Sequence, residues 1–218
     1  MKNKTSSLFA FLMLSIMTLI MSLLMVSCAT APLTYNSDKV DGKWAGSAQV
    51  KDFKTKKINT ISFEVWAEKP TSLLRLELTG PMGFSVASVL LNNQEISYAI
   101  HPQKKFFSGH VSETSLRQIL HVNLNPSWLL NAFFDMPVQS TGWSCFNGSD
   151  DLVSVCERAS DHLKIEWKDR KGELKRVIIS NDNYEVQILV KDFSPKVEKP
   201  EKTYTLVKPE SYRSYKLN

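Results

Sequence analysis

The chain is short of the groups that most catalytic centres are built from. It has four histidines, His101, His110, His121 and His162, and none stands in a metal-binding spacing such as H-E-x-x-H. His162 falls inside a strand pattern and reads as a surface or satisfied side chain. There is no G-x-S-x-G turn to present a nucleophilic serine and no glycine loop to cradle a phosphate. Acidic pairs such as Asp150-Asp151 lie in a polar turn, where solvated loop is the ordinary reading. These absences argue against an enzyme and give no reason to expect a cofactor or metal. Charge of one sign is also lacking: 27 Lys and Arg face 22 Asp and Glu, for a net +5 over 218 residues. No basic stripe interleaves with aromatics, so a nucleic-acid partner is not expected. Internal repeats and low-complexity tracts are absent too.

The N-terminus carries a targeting segment. Lys2 and Lys4 precede an uncharged apolar run from Leu8 to Val26, and Val26-Ser27 leads directly into Cys28. Small and aliphatic residues before a cysteine at the end of such a run resemble a bacterial lipobox. That implies cleavage before Cys28 and lipid on its sulfur and new amino group. Residues 1–27 are then a signal peptide, and 28–40 the lipidated cysteine and a polar tether. Two alternatives stay open. The run exceeds the usual ~7–15 residues of a cleaved signal and could be an uncleaved helix, which needs about 20 apolar residues; or Cys28 is incidental. In each case the lysines stay inside and the remainder is exported. With Cys28 lipidated, Cys145 and Cys156 remain. An even pair in an oxidising compartment reads as a disulfide, worth about 3 kcal/mol in the chain-entropy picture. Free buried thiols are the main alternative, and a catalytic Cys145 within "GWSCFNG" a weaker one.

Beyond the tether, period-two patterns dominate. "TISFEVWAE" puts Ile61, Phe63, Val65 and Ala67 on one face, and "SLLRLELT" does so with Leu74, Leu76 and Leu78. "FSVASVLL", "EISYAI" and "KKFFSG" follow. "DLVSVCE", "HLKIEWKD", "ELKRVIIS" and "YEVQILVKDF" come later, two of their junctions marked by Lys171-Gly172 and Asn181-Asp182-Asn183. Short turns between successive strands predict an antiparallel meander. Two helices are expected midway: a short one around Leu116, Ile119 and Leu120, and "PSWLLNAFFDM", opened by Asn125-Pro126 and ended by Pro137. The second carries too many large apolar residues for one stripe and should be buried on more than one side. A strongly curved antiparallel sheet with these helices over its concave face accounts for the order. Whether the enclosed apolar space is filled core or an open pocket is not legible from periodicity. The body spans 41–194. Residues 195–218 form an extension with one further strand, for which "TYTLVKP" is the candidate; "SYRSYKL" could contact a partner or the sheet edge.

Between "LLRLEL" and "FSVASVLL" sits Gly80-Pro81-Met82-Gly83. Glycine and proline suit a turn, but a methionine at the tip is unusual. It either projects as an adaptable apolar probe or folds back onto its own sheet.

The ordered set "LRLELTGPMGFSVASVLL", "FFSG", "SLRQIL" and "NPSWLLNAFFDMP", clearest over residues 72–137, resembles the LolB family of outer-membrane lipoprotein receptors. The resemblance implies an incomplete antiparallel barrel with a helical lid over an apolar cavity for acyl chains. It implies acylated lipoproteins as cargo, received from a soluble LolA-type carrier. It also implies a hairpin tip, Pro81, Met82 and Gly83, that helps deliver cargo into the bilayer. The membrane anchor favours LolB over the soluble LolA, and Ala29 after Cys28 suggests the outer membrane, facing the periplasm. Strand and helix faces nominate Leu74, Leu76, Val86, Val89, Trp128, Leu129 and Phe133 as cavity contacts, in a protein expected to be a monomer. The cysteine pair and the long tail depart from the family pattern. They keep open a structural or interaction lipoprotein of the envelope, or a carrier of another lipid.

Overall fold

The computed structural model describes residues 39–217, which belong to one compact unit. The signal segment, Cys28 and most of the tether lie outside the described residues. The first six strands are β1 (Asp41–Asp52), β2 (Lys57–Glu68), β3 (Leu73–Thr79), β4 (Ser85–Asn92), β5 (Glu95–Ile100) and β6 (Lys105–His110). Helices α1 (Arg117–Leu120) and α2 (Ser127–Phe134) come next. Then follow β7 (Trp143–Asn147), β8 (Val153–Arg158), β9 (Leu163–Lys171), β10 (Leu174–Ser180), β11 (Tyr184–Ser194), α3 (Pro200–Thr203) and β12 (Arg213–Lys216).

The strands form a single 12-stranded sheet in the order β12-β6-β5-β4-β3-β2-β1-β11-β10-β9-β8-β7. All neighbours are antiparallel except β12, which runs parallel to β6. The sheet is open, with β12 and β7 as its edges. The protein is therefore mainly β, a curved open sheet with short helices.

The pleat explains the burial. Leu74, Leu76 and Leu78 face Leu91, Val89 and Ala87 across the β3–β4 pairing, and all six are buried. Alternate residues, such as Arg75 and Glu77, point to the other face, as a period of two requires. Helix α2 lies on the apolar face. The Asn125 carboxamide accepts the Ser127 N–H at 3.0 Å and so starts the helix. Trp128, Leu129, Leu130, Ala132, Phe133 and Phe134 are all buried. Trp44 of β1 packs on both Phe133 and Phe134, with ring centroids 5.5 and 5.0 Å apart. On another side of the helix, Trp128 meets Trp143 at 5.4 Å. The helix is thus buried on more than one side.

Two strands escape the sequence pattern, and one is misplaced by it. β1 carries the small run Ala45-Gly46-Ser47-Ala48, which has no apolar alternation to read. Gly46 stands there because a Cβ would lie 2.0 Å from the Leu189 carbonyl oxygen, at a register shift between β1 and β11. β7 is short and mostly exposed. In the tail, "TYTLVKP" is not a strand; β12 comes from "SYRSYKL" and covers the edge of β6. Pairing that edge removes a row of free backbone groups that would invite another chain. On its way there the tail crosses the polar face of the sheet, where Arg75 donates to the Thr205 carbonyl at 3.1 Å.

Candidate functional site

Between the apolar sheet face and the helices lies a gap of about 40 Å³ with no polar lining. Phe63 of β2, Leu76 and Leu78 of β3, Leu120 of α1, and Leu129 and Phe133 of α2 are among its walls. Ligand pockets usually hold about 300–1,000 Å³. This gap is therefore a narrow seam, with room on the order of one or two small molecules of solvent size.

The sequence-nominated residues divide. Leu76, Leu129 and Phe133 line the seam. Leu74 and Val89 share the same buried sheet face but lie outside the lining. Val86 falls at the register shift between β3 and β4, is half-buried and packs against the core, but is not part of the seam lining. Trp128 borders a different feature, an open groove of about 510 Å³ along the flank of α2 with Asn125, Asn131, Met136 and Pro137. Ala48 and Val50 of β1, a stretch with no apolar alternation to nominate them, also line the seam. The alternation Ile61/Phe63 did carry a legible signal for β2.

A polar cluster fixes the far end of α2. Asp135 ends the helix in a left-handed conformation, φ 53°. Its carboxylate accepts from Lys175 Nζ at 2.7 Å and lies 3.5 Å from Arg170. Lys175 points inward from β10, is 2% exposed, and also donates to the Phe133 carbonyl at 2.7 Å. A cation there satisfies a helix C-terminal carbonyl and suits the helix dipole. Burial nonetheless pulls the Lys175 pKa down to about 8, with Asp135 opposing. Lys39 adds a bond to Glu173 at 2.5 Å and stands 3.8 Å from Asp135.

The β3–β4 turn is a single 3-10 turn over Pro81–Gly83, with Met82 at φ 67° and Gly83 at φ 83°. The Phe84 ring lies over Gly80, where a Cβ would be 2.4 Å from it. Met82 is 99% exposed, so it does not fold back onto the sheet.

Cys145 and Cys156 face each other across β7 and β8 and are disulfide-bonded. Nearby, the Arg158 guanidinium sits 5.5 and 5.4 Å from the Trp128 and Trp143 rings. Asp161 and Glu113 bind it and raise its pKa.

On the polar sheet face, Ser88 Oγ donates to Glu77 at 2.5 Å. That commits its one proton, so His101 Nε2 donates to Ser88 at 2.9 Å, and His101 Nδ1 accepts from the Tyr212 hydroxyl at 3.0 Å. Among the described residues no three His, Cys, Asp or Glu side chains gather as a metal site, and no helix is long and apolar enough to cross a membrane.

No protein-family model matches the chain, and no curated protein does. Among solved structures, it is similar to an uncharacterized conserved protein from Thermus thermophilus, at 9% identity and TM-score 0.44, over 80% of this chain and 90% of that one. A likeness that slight carries no argument about function.

Proposed function

We propose that the chain is a lipid-anchored receptor that accepts acylated lipoproteins beneath α2 and helps insert them into the outer membrane. The observation that carries this reading is the β3–β4 hairpin. Leu76 and Leu78 line a wholly apolar seam at one end of β3, and the same hairpin ends in an exposed methionine on a proline-stiffened turn. One element thus joins a place for acyl chains to a probe for the bilayer. The LolB resemblance supports the same assignment, with α1 and α2 as the lid. An apolar tip such as Met82 contributes about 1.5–3 kcal/mol when buried, enough for transient contact without a second permanent anchor.

The size of the seam favours a second reading, a filled core in an envelope interaction lipoprotein. A photo-crosslinker at Leu129 separates them. The full chain in vesicles is offered a triacylated lipoprotein on a LolA-type carrier. Crosslinks to the acyl chains support reception. Their absence, with a competent donor and folded acceptor, moves the assignment to the second reading or to another lipid.

A further inference from the structure

The two ends of the sheet differ in charge. At one end emerge the β1–β2, β3–β4 and β5–β6 turns, and beside them the β8–β9 and β10–β11 turns, whose carboxylates Asp161 and Asp182 are engaged by Arg158 and His162. The first turn holds Lys54, Lys56 and Lys57, and the third holds Lys104 and Lys105. Arg213 lies beside Lys105 on the neighbouring strand. The only carboxylate in residues 52–58, 79–85 and 100–105 is Asp52, and the N–H groups of Lys54 and Thr55 already bind its Oδ1. Lys54, Lys56 and Lys57 are exposed and make no ion pair among the described residues. At the opposite end, turns 68–73, 92–95, 147–153 and 171–174 mix Lys69 and Lys171 with Glu68, Glu95, Asp150, Asp151 and Glu173. The cationic bias belongs to the β1–β6 part of one rim and is hidden in the modest net charge.

That rim also carries exposed apolar side chains. Phe53 is 47% exposed, Ile58 59% and Phe84 50%, besides Met82. They stand in pairs on two projecting hairpins, Phe53 with Ile58 and Met82 with Phe84. The β1–β2 hairpin reaches past the level where β3 ends, because Ser62 pairs with Thr79 while residues 57–61 continue beyond. Separate apolar tips between lysines make a poor match for a rigid protein surface. They fit a fluid interface, where aromatic and apolar tips enter the headgroup boundary and lysine stems lie along them with ammonium groups outward.

We infer that this rim docks on an anionic phospholipid surface, with Lys54, Lys56, Lys57, Lys104 and Lys105 on the lipid phosphates and Phe53, Ile58, Met82 and Phe84 as the inserting tips. This deepens the insertion reading by naming the lipid class that the delivery end meets, yet its test needs no lipoprotein cargo.

The full chain is reconstituted in phosphatidylcholine vesicles. Acceptor vesicles of phosphatidylcholine alone, or mixed with phosphatidylglycerol, are added, and their clustering is followed by energy transfer. Clustering should require phosphatidylglycerol and weaken with salt. Each lysine near such a surface strengthens binding about fivefold, so K54Q/K56Q/K57Q should weaken clustering on the order of a hundredfold. The control K171Q/K191Q/K196Q carries the same charge change away from the rim and should leave it nearly intact. Equal clustering with neutral acceptors, equal loss in the control, or full competition by inorganic phosphate at matched ionic strength would each overturn the inference. Failure here leaves cargo reception untouched, and failed cargo transfer leaves the rim untouched.

Discussion

Replacing Asp135 with alanine leaves Lys175 buried with only the Phe133 carbonyl as partner. Two parts of the cost can be worked out. The lysine already sits in a site that holds its pKa near 8 instead of 10.5. At about 1.36 kcal/mol per pKa unit, keeping it charged at pH 7 costs roughly 3 kcal/mol. Without Asp135 the amine sheds its proton, which costs roughly 5 kcal/mol at pH 7 on the same scale. The charge part of the penalty is the difference, on the order of 1–2 kcal/mol. The lost charged hydrogen bond adds about 1.5 kcal/mol. The total, about 3 kcal/mol, lies at the low end of what breaking a buried pair usually costs. Urea unfolding with linear extrapolation measures it. The distinctive outcome is pH dependence. Near pH 10 the amine is neutral in both folded proteins, so the penalty should shrink by about half. The double variant D135A/K175M removes the buried charge and should recover most of the loss. A penalty that stays constant from pH 7 to pH 10 would refute the reasoning, because the lysine charge would then play no part.

The wild-type protein should show its own pH signature. Lys175 binds its proton less well folded than unfolded, so stability rises as pH climbs from about 8 towards 10.5. Tyr98, Tyr184 and Tyr204 are pushed up by burial, Tyr184 to about 12. They keep protons that the unfolded chain gives up above pH 10, so they lower stability as pH climbs past that point; a thermal-unfolding series should therefore rise from pH 8 to about 10 and fall beyond it. Met82→Glu changes a side chain with no packing, so stability should stay within about 0.5 kcal/mol while insertion into vesicles falls. Loss of cargo binding in that variant would count against a delivery role. Deleting residues 195–218 uncovers the β6 edge and exposes the surface against which Val197 is buried, at a cost of about 2–4 kcal/mol. Size-exclusion chromatography should then show self-association, and a monomeric, equally stable truncation would contradict that account of the tail.

The strands that alternate cleanly were legible because each has one wet face and one dry one. β3, with Leu74, Leu76 and Leu78 opposed to Arg75 and Glu77, is the clearest case. β1 was not legible because its centre is made of small residues chosen for close approach to β11, a constraint visible only once Leu189 is opposite Gly46. The position of β12 was missed for a related reason. An exposed edge strand such as Arg213–Lys216 has no apolar face, so its location depends on the β6 edge it completes. At the site, face periodicity separated Leu76 from Arg75 but did not say how far α2 reaches along the sheet, which decides that Leu129 and Phe133 meet the seam while Trp128 does not. The Asp135–Lys175 pair joins residues 40 apart in sequence. Single-residue patterns carry no trace of such a pairing, and the lysine's inward strand position was its only local mark.

On the reception reading, the narrow seam and the polar cluster are parts of one equilibrium. A volume of about 40 Å³ cannot take an acyl chain, so α2 has to move away from the sheet for cargo to enter. The contacts resisting that motion include Lys175 and Asp135 at one end of the helix and the Trp167 indole donating to the Ala132 carbonyl at 3.2 Å. Each buried methylene of cargo returns about 0.8 kcal/mol, so roughly ten of them could offset an opening cost of about 8 kcal/mol. Cargo affinity is reduced by the fraction of molecules that are open. Weakening the closed state through Asp135→Ala should therefore tighten acyl binding while it lowers stability, if opening breaks that pair. A fluorescent fatty acid titrated at pH 7 reads this directly. Tighter binding by the less stable variant would tie the cluster to the gate. Unchanged or weaker binding, with the fold intact, would mean that α2 is a permanent part of the core.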